Sequence, residues 1–428
     1  MVFFFAVPWI AKMHATPTFN FIDLCAGCGG LSLGLMNAGW EGLFAVEKEK
    51  DAFSTLRHNL VKDGAEGWFK WPDWLPREAI AIESLLSKHE AELKRHRGQV
   101  TLLAGGPPCQ GFSSVGRRLA HDPRNQVFKN YVKLVELLQP KTVLMENVRG
   151  ILHPFKADAK KSEKPPIYAD LIKTALHELD YEVWYAIVHS KDYGVPQTRP
   201  RFILVGVRRE GRKQLQSLKP FEILEALRQD FLKQKKLGTP VTVENAISDL
   251  AKVGNLLEVC KETPRFNQGH YGKQSSDYQR LLHGKMNGAL ADSHRFANHR
   301  PETIEKFEWF LDNCQKGKKL EQEERGDYAN KKHMLYILSP KHPAPTVTTL
   351  PDDLLHYSEP RILTVREMAR LQSFPDWFSF KGKYTTGGDR RTKECPRYTQ
   401  VGNAVPPLLA EALGKMLLKF LGEVENAK

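Results

Sequence analysis

The stretch F-N-F-I-D-L-C-A-G-C-G-G, Phe19 to Gly30, decides the fold. Phe19 to Leu24 is a short apolar run of the kind that makes a buried strand, and Cys25 to Gly30 is a glycine-rich turn. An apolar helix ending at Gly39 follows. Strand, tight turn and helix together bring backbone N–H groups to the carboxyl end of a strand, where parallel sheets bind ligands. The pattern repeats outward. L-F-A-V-E ends at Glu47 and leads into helix-like K-D-A-F-S-T-L-R-H-N; V-T-L-L-A-G-G ends at Gly106, ahead of a helix from about Gln126 to Leu138. T-V-L-M-E-N-V, a helix from Ile167 to Leu179, and the strand-like runs E-V-W-Y-A-I-V and R-F-I-L-V-G-V complete it. Such alternation predicts an α/β class, with a doubly wound, mostly parallel sheet.

Composition narrows the function. The chain has 428 residues, enough for two or three domains. Its 41% apolar and 26% charged residues, with no run approaching a membrane span, exclude a transmembrane or a disordered chain. Lys plus Arg number 63 against 50 Asp plus Glu, and the net charge of +13 favours a polyanionic partner. Six scattered cysteines are too few for a disulfide scaffold and fit a reducing cytoplasm. The opening M-V-F-F-F-A-V-P-W-I has no basic residue ahead of it and no convincing cleavage site, so it is not read as a secretory signal; translation starts at Met1 or at Met13. After Arg209 the pattern gives way to Lys-, Gln- and His-rich segments with weak periodicity, read as a second, basic domain, although each charge run alone suits a solvated face. From Ala404, A-V-P-P-L-L-A-E-A-L-G-K-M-L-L-K-F-L predicts an amphipathic helix with prolines in its first turn.

Several residues carry chemistry. Gly27, Gly29 and Gly30 let backbone approach a ligand, and Glu47, 20 residues after Gly27, suits a carboxylate that accepts from ribose hydroxyls. Alone these fit nicotinamide, flavin and adenosyl ligands equally. Cys25 and Cys28 lack a second cysteine pair at zinc spacing and read as turn residues, so no metal is expected. G-G-P-P-C-Q-G-F-S-S, Gly105 to Ser114, places Cys109 just beyond a strand on a stiff Pro-Pro lead, as either a nucleophilic thiol or a buried apolar one. E-N-V puts Glu146 at the same sheet edge, as an acid of the site or a salt-bridge partner, and Q-T-R-P-R supplies Arg199 and Arg201.

F-I-D-L-C-A-G-C-G-G, G-P-P-C-Q-G-F-S, E-N-V, Q-T-R-P-R, L-T-V-R-E-M-A-R-L-Q-S-F-P and Q-V-G-N-A-V-P-P stand in the order seen in DNA cytosine carbon-5 methyltransferases of the bacterial restriction-modification type. The chain resembles that family from Asn20 to about Leu421, apart from the middle. The resemblance implies a Rossmann-like fold that uses S-adenosylmethionine and no metal. Cys109 matches the nucleophile that attacks carbon 6 of a flipped-out cytosine, and Glu146 the acid that holds ring nitrogen 3 and the amino group. Arg201 matches a contact to the ring carbonyl and Arg199 a supporting charge. For the donor, Gly27, Gly29 and Gly30 match the loop round the methionine portion and Glu47 the ribose ligand. Pro107 matches a contact near the methyl, and Asn403 a partner of the amino-acid end.

There are two departures. Cys25 stands where the family has an aromatic packed on adenine, and Ala81 where an Asp often reads the adenine amino group, leaving Glu83 or the backbone at Ile82 to substitute. Ser113 to about Asn125, with Arg117, Arg118 and Arg124, resembles the mobile active-site loop. Residues 1–209 plus 346–428 then form the donor-binding catalytic domain and 210–345 the target-recognition domain, where Lys331, Lys332 and His333 are phosphate or base contacts. The implied partners are double-stranded DNA and a cognate restriction endonuclease, with no membrane, for a monomer in a bacterial or phage-infected cytoplasm. Two other readings share the motifs: a transfer-RNA cytosine methyltransferase, whose C-F-T signature is missing here, and a silent DNA-binding paralogue, which would have lost the cysteine or E-N-V.

Overall fold

The computed structural model describes residues 19–61, 68–107, 125–154, 167–212, 215–286, 290–329, 334–386 and 394–426. In chain order the first half holds β1 (Asn20–Leu24), α1 (Gly30–Asn37), β2 (Glu41–Val46), α2 (Lys50–Leu60), α3 (Ile82–Lys88), α4 (Glu90–Arg95) and β3 (Leu102–Gly105). Then come α5 (Asn125–Leu138), β4 (Thr142–Val148), α6 (Tyr168–Glu178), β5 (Tyr181–His189) and β6 (Pro200–Arg208). The strands form one six-stranded sheet in the order β2-β1-β3-β4-β6-β5. β1, β2, β3 and β4 pair in parallel, as their near-continuous apolar runs require of strands covered on both faces.

β6 runs antiparallel to both β4 and β5. Only the ten residues 190–199 separate β5 from β6, and they hold a single 3-10 turn, Ser190–Tyr193. A parallel neighbour needs a crossover longer than that, so the chain turns back instead.

The remaining elements are α7 (Pro220–Lys235), α8 (Val243–Ile247), β7 (Leu257–Val259), β8 (Asn267–His270), α9 (Asp277–His283), β9 (Leu290–Arg295), α10 (Pro301–Asn313), β10 (Tyr336–Ile337), β11 (Leu354–Leu355), α11 (Val365–Leu371), α12 (Arg397–Asn403) and α13 (Pro407–Asn426). β7, β8 and β9 make a small antiparallel sheet, and β10 lies parallel to β11. The main hydrophobic core does not stop at Arg209: Leu224, Phe231, Val243, Ile247 and Leu282 belong to it.

α13 departs from the amphipathic helix the sequence predicts. Every residue from Pro407 to Gly414 is buried, and an outward face begins only at Lys415. α1 covers one side of it so closely that a Cβ on Gly34 would lie 2.5 Å from the carbonyl oxygen of Pro407, and one on Gly414 2.7 Å from Cβ of Ala38. α7 covers another side, where Lys235 pairs with the buried Glu411 at 2.7 Å.

Buried arginines tie α11 to the small sheet and to α8. Its start is fixed by a capping box between Thr364 and Glu367. Arg370, fully buried, uses all five N–H donors: on Asp376 at 2.6 and 2.6 Å, on Asp249 at 3.2 and 3.1 Å, and on the carbonyl of Ala246 at 2.9 Å. Burial pushes both carboxyl groups up, but the nearer Asp376 is held well below the usual carboxylate range by the guanidinium, whereas Asp249 stays raised. Arg366 binds the carbonyl and carboxylate of Asp292 on β9, and Arg397 on α12 reaches Glu262 and Ser293.

Candidate active site

The turn after β1 is shaped by backbone. Gly29 has φ 97° and Gly30 opens α1; a Cβ on Gly30 would lie 2.3 Å from the carbonyl oxygen of Val405, so only glycine lets the last segment of the chain pass here. Cys25 itself takes the left-handed conformation, φ 56°. Glu47, at the end of β2, receives the N–H of Gly27 and the N–H of Glu49, each at 2.8 Å. Burial raises its pKa against those two hydrogen bonds. The N–H of Ile80 donates to the Glu47 carbonyl at 2.8 Å, which brings Ala81 and Ile82 alongside. Glu83 is engaged by Asn130 of α5, also at 2.8 Å. Cys28 is buried, its thiol donating to the carbonyl of Gln400.

Beneath the turn, Asp23 is fully buried, with Oδ2 accepting from Ser32 at 2.5 Å and Oδ1 without a hydrogen-bond partner. Burial, and to a lesser extent the charge of Glu47, raise its pKa to about 7 against the Ser32 hydrogen bond. A carboxyl raised on folding gives its full stability contribution below the unfolded pKa of 3.8 and loses it as pH climbs toward 7. Stability is therefore expected to fall between pH 4 and 7, and Asp23→Asn to flatten that slope in urea midpoints taken across the range. A parallel slope in the variant would assign the effect to another group.

At the C-terminal ends of β3 and β4, Glu146 has Arg201 beside it. Arg201 Nε donates to Glu146 Oε1 at 2.7 Å, both side chains almost wholly buried. A Cβ on Gly106 would sit 3.3 Å from Glu146 Oε2, so the strand end leading to Cys109 passes directly beside the carboxylate. Asn147 holds the carbonyl of Pro107 at 3.1 Å and fixes that lead. Cys109, and Ser113 to Arg124 with Arg117 and Arg118, lie outside the described residues, as do Lys331, Lys332 and His333.

Arg199 occupies a different place from Arg201. Its guanidinium binds the carbonyl of Val347 at 3.1 Å and that of Gly402 at 2.9 Å, so it anchors the segment that ends in Asn403. Gln197 completes this clasp: its amide donates to the Leu371 carbonyl and to Gln372 Oε1 and accepts from the N–H of Val347 at 2.7 Å. Gln372 passes on to the carbonyls of Val401 and Ala404. Neither glutamine was singled out from the sequence, although both lie inside quoted motifs and both are buried. The clasp joins Q-T-R-P-R, the end of α11 and the end of α12, so the residues expected at the donor and at the cytosine share one rigid support.

Among the described residues no group of three or more His, Cys, Asp or Glu could hold a metal ion, and no helix is long and apolar enough to cross a membrane. The residues do fit an adenosyl donor. Above Gly27 a Cβ would meet nothing within 4 Å, leaving an open cradle of backbone next to the Glu47 carboxylate.

Residues 19–419 match the model of the C-5 cytosine-specific DNA methylase family. The chain is 30% identical over 413 residues to the type II methyltransferase M.DdeI of Desulfomicrobium norvegicum, covering 93% of this chain and 88% of that protein. It is 30% identical over 407 residues to the type II methyltransferase M1.HphI of Haemophilus parahaemolyticus, at 94% and 87% coverage. Among solved structures it resembles a chain described as a DNA modification methyltransferase encoded within an Escherichia coli prophage, with TM-score 0.63 and 24% identity over 95% of this chain and 100% of that one. At that identity the likeness speaks for the fold.

Proposed function

The chain belongs to the C-5 cytosine-specific DNA methylase family, and from that premise we propose that it moves a methyl group from S-adenosylmethionine to carbon 5 of a cytosine swung out of duplex DNA, through a covalent adduct with Cys109. The contact that carries this reading is the Glu146–Arg201 pair beside the strand end that leads to Cys109. A cytosine ring is too electron-poor at carbon 5 to take a methyl group unaided. Sulfur attack at carbon 6 makes carbon 5 nucleophilic, provided the charge displaced onto the ring is met as it forms. Glu146 would hold ring nitrogen 3 and the amino group, and Arg201, hydrogen-bonded to that carboxyl, would keep it oriented and reach the ring carbonyl. When carbon 5 then gives up its proton to solvent water, that electron pair re-forms the carbon 5–carbon 6 double bond, the sulfur–carbon bond breaks and Cys109 leaves as the thiolate.

Bound at the glycine turn, the donor supplies an electrophilic methyl carbon on a sulfonium. Glu47 would accept from the ribose hydroxyls, and Gly27, Gly29 and Gly30 would lie along the methionine portion. Cys25 and Ile82 would flank the purine, with Pro107 near the methyl and Asn403 at the amino-acid end. Arg199 acts through Gly402, as a positioning residue. Residues 210–345 would contribute target recognition, and methylation in a bacterial or phage-infected cytoplasm would protect the site from a cognate endonuclease.

The test is to express the chain in a host without cytosine methylation and map 5-methylcytosine in its genome. Methylation confined to one short motif is expected. None from the folded protein, with labelling of transfer RNA instead, would move the assignment to an RNA substrate. Glu146→Gln keeps size and loses the acid; its single-turnover rate is expected to fall about a hundredfold or more, and an unchanged rate would leave Glu146 a structural partner of Arg201.

A further inference from the structure

Asp23 lies under the donor turn, and the proposed chemistry does not use it. Its neighbours across the sheet are Ala45 of β2 and Ala104 of β3, neither of which can hydrogen-bond through its side chain. From α1 the Ser32 hydroxyl donates to Oδ2 at 2.5 Å, while Oδ1 has no partner among the described residues although the side chain is wholly buried. The titratable groups that face it are Glu47 after β2, Cys25 of the turn and Tyr131 of α5, and none of them carries a positive charge.

An ionised carboxylate is tolerated in a protein interior only beside a cation or several hydrogen-bond donors. Asp23 has one hydroxyl and a neighbouring carboxylate, so the folded chain on its own favours the neutral acid; its pKa, raised to about 7 chiefly by burial, agrees with that geometry. Its charge nevertheless reaches the turn. Burial lifts the Cys25 thiol well above its usual range, and Glu47 and Asp23 add to the rise. Cys25 stands two residues further on, about 7 Å along the chain, with the wholly buried Leu24 between. A cation seated on the turn therefore acts on Asp23 through dry surroundings, where charges are weakly screened. S-adenosylmethionine brings a sulfonium, whereas the thioether left after transfer has the same purine, ribose and amino-acid end without that charge.

We infer that Asp23 distinguishes the methyl donor from the spent product by charge: a sulfonium bound on the glycine turn draws the buried carboxyl into its ionised form, and loss of the methyl group removes that attraction. On donor binding the O–H bond of the carboxyl breaks and its proton passes to solvent; when the neutral thioether remains, a proton returns from solvent and the electrostatic hold on the ligand relaxes. The inference rests on the S-adenosylmethionine reading. A carboxyl that merely anchored Ser32 and the start of α1 would affect both ligands alike and exchange no proton with either.

The test is titration calorimetry on the full chain at pH 6.5, below the range of the donor's own α-amino group, in PIPES and again in imidazole, two buffers of different ionisation enthalpy, so that protons exchanged on binding are counted. S-adenosylmethionine is expected to release about half a proton or more and S-adenosylhomocysteine about a fifth or less. Asp23→Asn should abolish the difference between them. At pH 8, where the parent carboxyl is ionised, the same variant should lose about tenfold in donor affinity and keep product affinity within about twofold, the retained product binding showing that it is folded. Ser32→Ala removes the hydrogen bond that favours the ionised form, and at pH 7.5 it should release more protons on donor binding than the parent does; this arm stands whether or not Asp23→Asn folds. Equal proton release for donor and product in the parent, a difference kept by Asp23→Asn, a loss of affinity shared equally by both ligands in the folded variant, or unchanged release by Ser32→Ala overturns the inference. A parent that binds neither ligand overturns instead the reading beneath it.

Discussion

Cys109→Ala is expected to abolish methyl transfer, by about 10⁴-fold or more, while leaving duplex affinity close to that of the parent. On the proposed mechanism the thiolate would contribute little to the ground-state complex, because its bond to carbon 6 would form only on the way to the adduct, yet without it carbon 5 would not become nucleophilic. Single-turnover kinetics with labelled donor would measure the loss. A second observation isolates the covalent step. In a duplex bearing fluorine in place of the target carbon-5 hydrogen there is no proton for carbon 5 to release, so the parent should accumulate a denaturant-stable protein–DNA adduct and the alanine variant none. Turnover retained by the variant, or an adduct formed without Cys109, would remove that residue from the mechanism.

Arg370→Ala is expected to cost about 3–5 kcal/mol of stability, the usual range when one partner of a buried ion network is removed. The loss is not that of one contact. Asp249 and Asp376 are both buried and both depend on this guanidinium, and His283, whose ring lies 3.0 Å from Asp376, has a pKa raised chiefly by that hydrogen bond. Truncation leaves two carboxylates without their cation in the interior. Urea denaturation would show it as a lowered midpoint. Asp249→Asn with Asp376→Asn in the alanine background should recover part of the loss, since the uncompensated charge is then gone. No recovery would attribute the damage to the cavity instead.

The sequence was legible where pattern and local geometry agree. β1, the glycine turn, α1 and β2 stand where apolar runs and glycines put them, whereas the hydrogen bond from the Gly27 N–H to Glu47 was not read from the spacing. Glu146 and Arg201 are adjacent because both lie at the ends of neighbouring strands. Less legible was anything decided by what a segment packs against. The residues of α11 contain two arginines and a glutamate, which by composition suit a solvated face, yet all seven are buried, and the distant partners Asp249 and Asp292, with the nearer Arg361 and Asp376, make that tolerable. The first two turns of α13 are enclosed for the same reason. The antiparallel β6 could have been anticipated from the short link before it, but its apolar run looks the same in either direction.

The contact of Cys28 with Gln400 joins residues 372 positions apart, and α1 packs on α13 beyond it. On a ribosome adding about 5–20 residues per second, the turn that is to cradle the donor emerges early and then waits about 20–70 s for the last helix to close it. During that interval the face of α1 that α13 covers stays open. The same connectivity means that a chain cut short before α13 leaves Gly30, Gly34 and the inner face of α1 without the segment that packs on them.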